Sequence, residues 1–267
     1  MRLSPPELSV ASGNVLDMTR AYTALCNTTD RDQDLITALR WALDHAENGQ
    51  PVTLWCWDKG DLPAGLESKA PSQGIAVHSE RPRPRGGRSF RAPDGPVVAV
   101  DLPLETLVEI EPFENPICLV HAYVPENDAR GGWIGGDDLP FDRPWINAFR
   151  PECLSGPPIQ TPEPLITDPV VVVAMKSFTA KTFGGTTMHD YRDGDRVTHG
   201  LMELRKGGHA IEPDLLFAAA LREGWRGREA VLFWKVAKEV AKGVKKRPKH
   251  HFREDILSHW RAEASAQ

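Results

Sequence analysis

Apolar positions in the first half of the chain alternate between helical and strand-like spacing. Leu35, Ile36, Leu39, Ala42, Leu43 and Ala46 share one helical face. Asp30, with Gln33 three residues on, resembles a capping box ahead of that face, and Asn48-Gly49 closes it. Pro51 then leads directly into Val52-Thr53-Leu54-Trp55-Cys56-Trp57, a short β-rich run. Residues 74–78, 96–101 and 117–124 supply three more strand candidates. Val15, Met18, Tyr22 and Leu25 fall at helical spacing and predict a helix over 14–26. Residues 14–125 therefore read as a small α/β layer.

The second half has a different pattern. Pro151, Pro157, Pro158, Pro162, Pro164 and Pro169 rule out a regular helix or central strand and predict an extended crossing over 149–169. This divides the chain into an α/β domain over 1–148 and a second domain over 170–267. The second domain opens with the apolar run Val170-Val171-Val172-Val173-Ala174. It also contains Asp193-Gly194, a dipeptide suited to a type I′ turn. With that turn as the loop, Arg192 pairs with Asp195, Tyr191 with Arg196, Asp190 with Val197 and His189 with Thr198. Periodic stretches over 215–222, 228–242 and 253–264 predict helices, the middle one with Ala230, Phe233, Trp234, Ala237, Val240 and Ala241 as its stripe. The expected fold class is α+β: an N-terminal α/β layer, then antiparallel strands with a β-hairpin and a C-terminal helical bundle.

Composition narrows the class. The 267 residues are 40% hydrophobic and 26% charged, with no apolar run of 18. The opening Met1-Arg2-Leu3-Ser4-Pro5-Pro6 lacks the apolar core of a signal peptide, so a cytoplasmic protein is expected. Cys26, Cys56, Cys118 and Cys153 are scattered, which encodes neither a zinc finger nor a disulfide framework. The net charge of −5 hides an asymmetry. From Leu201 onward fourteen Lys/Arg face nine Asp/Glu, net +5, while the preceding residues carry eighteen against twenty-eight, net −10.

Catalytic constellations are thin. Met188-His189-Asp190 with Asp193, Asp195 and His199 has the residue types of an HD phosphohydrolase, but adjacent residues of a strand point to opposite faces. Asp190 or Asp195 followed by Glu203-Leu204-Arg205-Lys206 approaches an Asp…Glu-x-Lys nuclease core, with arginine where lysine is needed. No Gly-x-Ser-x-Gly elbow and no dinucleotide fingerprint is present. The Gly-rich stretch around Trp133 lacks the Gly-Lys-Ser/Thr of a phosphate loop. Neither Asp137-Asp138 nor His121 forms a site by itself. No catalytic residue, metal or cofactor is expected.

One resemblance enters here. Ala38-Leu39-Arg40-Trp41-Ala42-Leu43, then Gly49-Gln50-Pro51-Val52-Thr53-Leu54-Trp55 and Asp61-Leu62-Pro63, is similar to a stretch of the VMAP-C domain. That domain is the C-terminal module of vWA–MoxR-associated proteins of bacterial conflict systems. Val77-His78-Ser79-Glu80-Arg81-Pro82 echoes its downstream segment without the tryptophan and aspartates. The resemblance implies an interaction or regulatory module and carries over no catalytic residue.

Charge clustering carries the functional expectation. From Lys235 to Arg253 eight Lys/Arg stand against Glu239 alone. Lys235, Lys238 and Lys242 form a helical stripe that Lys245, Lys246, Arg247 and Lys249 extend. A Pro/Gly loop with Arg83, Arg85 and Arg88 is a second cationic stretch. These residues point to a non-enzymatic subunit that contacts nucleic acid, or an acidic protein surface, beside other protein subunits and away from membranes, in a bacterial nucleoprotein or defence assembly. A conflict-system regulatory module and a divergent metal-dependent nuclease are the alternatives.

Overall fold

The computed structural model describes residues 19–25, 30–47, 49–56, 62–79, 92–102, 104–111, 115–123 and 143–266. Six strands form one sheet: β1 (Arg20–Leu25), β2 (Val52–Cys56), β3 (Ile75–Ser79), β4 (Val97–Val100), β5 (Ile117–Tyr123) and β6 (Glu152–Ser155). Their order is β3-β2-β4-β5-β1-β6, and every adjacent pair is parallel. Helix α1 (Arg31–Asp44) links β1 to β2, α2 (Leu66–Lys69) precedes β3, α3 (Leu104–Ile110) links β4 to β5, and α4 (Arg143–Phe149) precedes β6.

A parallel sheet is covered on both faces, so its strands are apolar on both sides. In β4, Val97 and Ala99 belong to one core while Val98 and Val100 belong to the other. β5 divides likewise, with Ile117 and Leu119 on one side and Cys118 and Val120 on the opposite side. Leu35, Ala38, Leu39 and Ala42 of α1 cover the second face. The predicted cap on α1 is present, since Asp30 accepts from the Asp32 and Gln33 amides.

The chain from Pro169 onward is helical: α5 (Pro169–Lys181), α6 (Tyr191–Lys206), α7 (Pro213–Arg222), α8 (Gly227–Ala241) and α9 (Ile256–Ser265). The expected antiparallel strands and hairpin are overturned here, because the sheet is wholly parallel and the hairpin segment is α6. Asp190 is the N-cap of α6, and Asp193-Gly194 lies in its first turn. Gly194 is absent from the positive-φ glycines, so the type I′ argument fails. A Cβ there would meet the Met188 carbonyl oxygen at 2.8 Å, a packing reason for glycine. The run Val170–Ala174 is helical despite its β-branched residues. Asp168 caps it through the Val170 and Val171 amides, Pro169 opens the first turn, and α6, α7 and α9 surround it.

Two further expectations change. Tyr22 and Leu25, expected on a helix, lie on β1. The Pro-rich crossing contains β6, at the sheet edge beside β1, where proline on either side does no harm. The predicted helices over 215–222, 228–242 and 253–264 correspond to α7, α8 and α9.

The halves share one core. α3 packs on α8 and α4 on α7. Arg222 of α7 donates to the Ala148 and Asn147 carbonyls at the end of α4, at 2.9 and 2.8 Å. Beneath α4, Arg20 and Glu111 form a buried ion pair at 2.8 Å, 2% and 8% exposed at the side chain. Trp145 donates to Glu111, and Phe149 lies against the Arg20 guanidinium.

Two substitutions test this join. Glu111→Ala leaves Arg20 buried without its carboxylate and should cost about 3–5 kcal/mol in denaturant unfolding. Gly227→Ala places a methyl at 2.4 Å from the Val108 carbonyl oxygen on α3. It should lower the unfolding midpoint by the equivalent of about 1–3 kcal/mol.

Candidate functional site

Helix α8 ends at Ala241, and two residues on Gly243 turns the chain with φ +82°. The chain then crosses α6 as an irregular strap before α9 begins. The strap's backbone is held at defined points. The Lys249 and His250 amides both donate to Asp195 Oδ2, at 2.8 and 3.2 Å, and the His250 ring reaches the same oxygen at 3.3 Å. The Phe252 amide donates to His199 Nδ1 at 3.3 Å. The Phe252 side chain is buried against Phe178 and Trp260, and Trp260 donates to Ser177 on α5. The Arg205 guanidinium lies so close to Gly243 that a Cβ there would come within 2.8 Å of it.

The predicted cations divide into two sets. Lys235 pairs with Glu105 of α3 at 3.1 Å, Lys238 lies 4.4 Å over the Trp234 ring, and Lys246 pairs with Glu239. Lys242 is the C-cap of α8. Lys245, Arg247 and Lys249 are exposed along the strap. Arg83, Arg85 and Arg88 lie outside the described residues.

Residues of the expected hairpin segment meet the strap from α6. Asp195 and His199 are its anchors, and Arg205 lies against it. The Tyr191 ring sits edge-on to His250 at 5.3 Å, and its hydroxyl accepts from Arg192 Nε at 2.9 Å. Tyr191 is 62% exposed. Phe183, at the same end of the bundle, is 74% exposed with φ +50°. A left-handed conformation costs a non-glycine residue roughly 1–2 kcal/mol. It is imposed by the surrounding turn, in which Gly184 donates to the Thr179 carbonyl and Thr186 and Thr187 both donate to the Thr182 carbonyl. No periodicity marks either exposed ring in the sequence.

Electrostatics follow from these contacts. Burial raises the Asp195 carboxyl, but the Lys249 amide and the His250 ring and amide outweigh it and hold Asp195 below the usual carboxylate range. His199 is depressed by burial first, then by the neighbouring His251 and Lys206, with Glu203 opposing. His199 and His251 stack face to face at 4.5 Å. To accept at Nδ1, a neutral His199 carries its proton on Nε2.

The hydrolytic candidates come apart in three dimensions. His189 bonds through Nδ1 to Glu229 of α8 at 2.8 Å, while Asp190 turns back to cap α6. Asp190 and Glu203 stand at opposite ends of α6, about 20 Å apart at 1.5 Å per residue, too far to share a metal. Among the described residues, no three His, Cys, Asp or Glu side chains are grouped to hold a metal ion. At the carboxyl edge of the sheet, Arg31 pairs with Asp101 and Ser155 donates to Asp34, both at 2.5 Å.

A family model described as a domain of unknown function (DUF1889) matches residues 167–261. Its bounds begin beside the Asp168 cap of α5 and end on α9, so the match covers the helical bundle and the strap. No curated protein and no solved structure matches the chain. Of the stretches likened to VMAP-C, 38–43 lie on α1, 52–55 on β2 and 77–79 on β3, all outside the matched residues, while Asp61 and residues 80–82 lie outside the described residues. Among the described residues, no helix is long and apolar enough to cross a membrane.

The strap's attachment should depend on pH. The charged and titratable groups acting on His199 are Glu203 and Lys206 on α6 and His251 on the strap. A histidine with a depressed folded-state pKa contributes stability above its unfolded value near 6.5 and loses it as pH falls towards the depressed value. Denaturant midpoints of the wild type should therefore fall through that window. In His199→Gln, which keeps an acceptor and cannot titrate, the fall should be shallower. Parallel profiles would show that His199 does not govern the strap.

Proposed function

We propose that this chain is a binding protein that holds nucleic acid by its phosphate backbone, across the strap and the adjoining face of α6. The observation that carries the reading is the contrast between the strap's backbone and its side chains. The Lys249, His250 and Phe252 amides are fixed to Asp195 and His199, while Lys245, Arg247 and Lys249 present their charges to solvent. Cations on a pinned backbone lose less conformational freedom on meeting a polyanion than cations on a free tail.

Local charge supports the same reading. Between Lys242 and Arg253 there are six Lys/Arg and no Asp/Glu, whereas the residues before Leu201 carry net −10. A polyanion would be repelled by most of the chain and drawn to this segment. Lys235 and Lys238 are spent on contacts within the protein, which shifts the weight to the three strap cations. No side chain here is placed in a helix or ribbon shaped to enter a groove, so the binding would be independent of sequence.

Lys245, Arg247 and Lys249 replaced together by Gln should weaken binding to labelled nucleic acids of unrelated sequence to a similar degree. Each lost phosphate contact should reduce the slope of log affinity against log salt by about 0.7 to 0.9. Lys235→Gln should change neither affinity nor slope. Equal slopes for the wild type and the triple variant would refute this reading and leave the strap as a docking face for an acidic protein.

A further inference from the structure

Two large aromatic side chains stand in solvent at one end of the bundle, where α5 ends and α6 begins. Phe183 is in the turn after α5, and Tyr191 is the first residue of α6. Neither packs in the core, so burial does not account for them. Both are nevertheless held. The Phe183 turn is closed by the Gly184 amide on the Thr179 carbonyl, the Gly185 amide on Thr182 Oγ1 at 3.1 Å, and Thr186 Oγ1 on the Phe183 carbonyl at 3.0 Å. Gly185 rests on the Trp225 ring so closely that a Cβ would overlap it, which fixes the turn to the bundle. Tyr191 is held by Arg192 through its hydroxyl and by His250 at its edge. His250 belongs to the strap and is fixed on Asp195.

The cationic strap and the Tyr191 ring thus meet through a single imidazole, with Phe183 at the same end. Duplex nucleic acid offers its phosphates to such a surface, but its bases are stacked on one another. A single strand offers both phosphates and free base faces, and a rigid exposed aromatic is a platform for such faces. We infer that the nucleic acid this surface takes is single-stranded, with phosphates along Lys245, Arg247 and Lys249 and bases stacked on Tyr191 and Phe183. The inference rests on the nucleic-acid reading above and adds the substrate class. Arg192, bonded to the Tyr191 hydroxyl with its guanidinium 5.5 Å over that ring, adds an exposed cation beside it.

The test uses fluorescence anisotropy of the whole protein with a labelled 20-nucleotide oligothymidine and a labelled hairpin duplex at matched salt. The single strand should bind more tightly. Tyr191→Ala and Phe183→Asn should each weaken single-strand binding by about 5-fold to 150-fold, the range for loss of one stacked base. Their salt slopes and duplex affinities should stay unchanged. Asparagine suits the left-handed backbone at 183, so that variant removes the ring and keeps the turn. Phe183→Trp, which keeps an aromatic face, should restore single-strand binding. Duplex binding as tight as single-strand binding, or ring variants with wild-type affinity, would overturn the inference and leave the phosphate reading standing. Binding of neither probe by the wild type would overturn both.

Discussion

Helices α3 and α4 are seven residues each, and both are buried on more than one side. Leu104, Thr106, Leu107, Val108 and Ile110 are all buried in α3, as are Pro144, Trp145, Ile146, Asn147 and Ala148 in α4. A helix this short is not stable alone, and one with so little polar surface needs partners on opposite sides. The sheet supplies one side, and α7 and α8 supply the other. The α/β layer therefore depends on the bundle to complete its core. The buried Arg20–Glu111 pair, roofed by Trp145 and Phe149, sets how α4 lies on the sheet, and Arg222 then ties α4 to the bundle. Such a pair contributes through the cost of breaking it more than through net stabilisation.

That dependence shapes the candidate site. With α7 and α8 seated on α3 and α4, Lys235 is drawn to Glu105 and leaves the cationic stripe. What remains for a partner is the segment after α8, folded across α6. It is held by two side chains of α6 one turn apart, Asp195 and His199. An acidic residue and a histidine that resemble catalytic groups in the linear sequence act as backbone anchors in the fold.

Much of the α/β layer was legible along the chain. The α1 cap, β2, β3, β4 and β5 follow from local patterns, because capping residues, turn residues and short apolar runs act over a few positions. The same rules mistook α6 for a hairpin, since Asp-Gly suits a type I′ turn and the first turn of a capped helix alike. The stripe of Val197, Leu201 and Leu204 is the helical signal in the same segment, and it is these side chains that α6 buries. β6 escaped notice among prolines, which an edge strand tolerates and a central one does not.

The sequence by itself determined where charge concentrates, which runs are apolar on both sides, and that Lys245, Arg247 and Lys249 stand together. These are properties of neighbours in the chain, readable without knowing what packs on what. Only the tertiary structure decided that Lys235 meets Glu105 of α3, that Asp195 and His199 hold a segment some fifty residues away, and that Tyr191 reaches it through His250. Those outcomes depend on helices meeting across the core. Periodicity states which face of a helix is buried, but not which neighbour covers it or which polar group comes to rest at its rim.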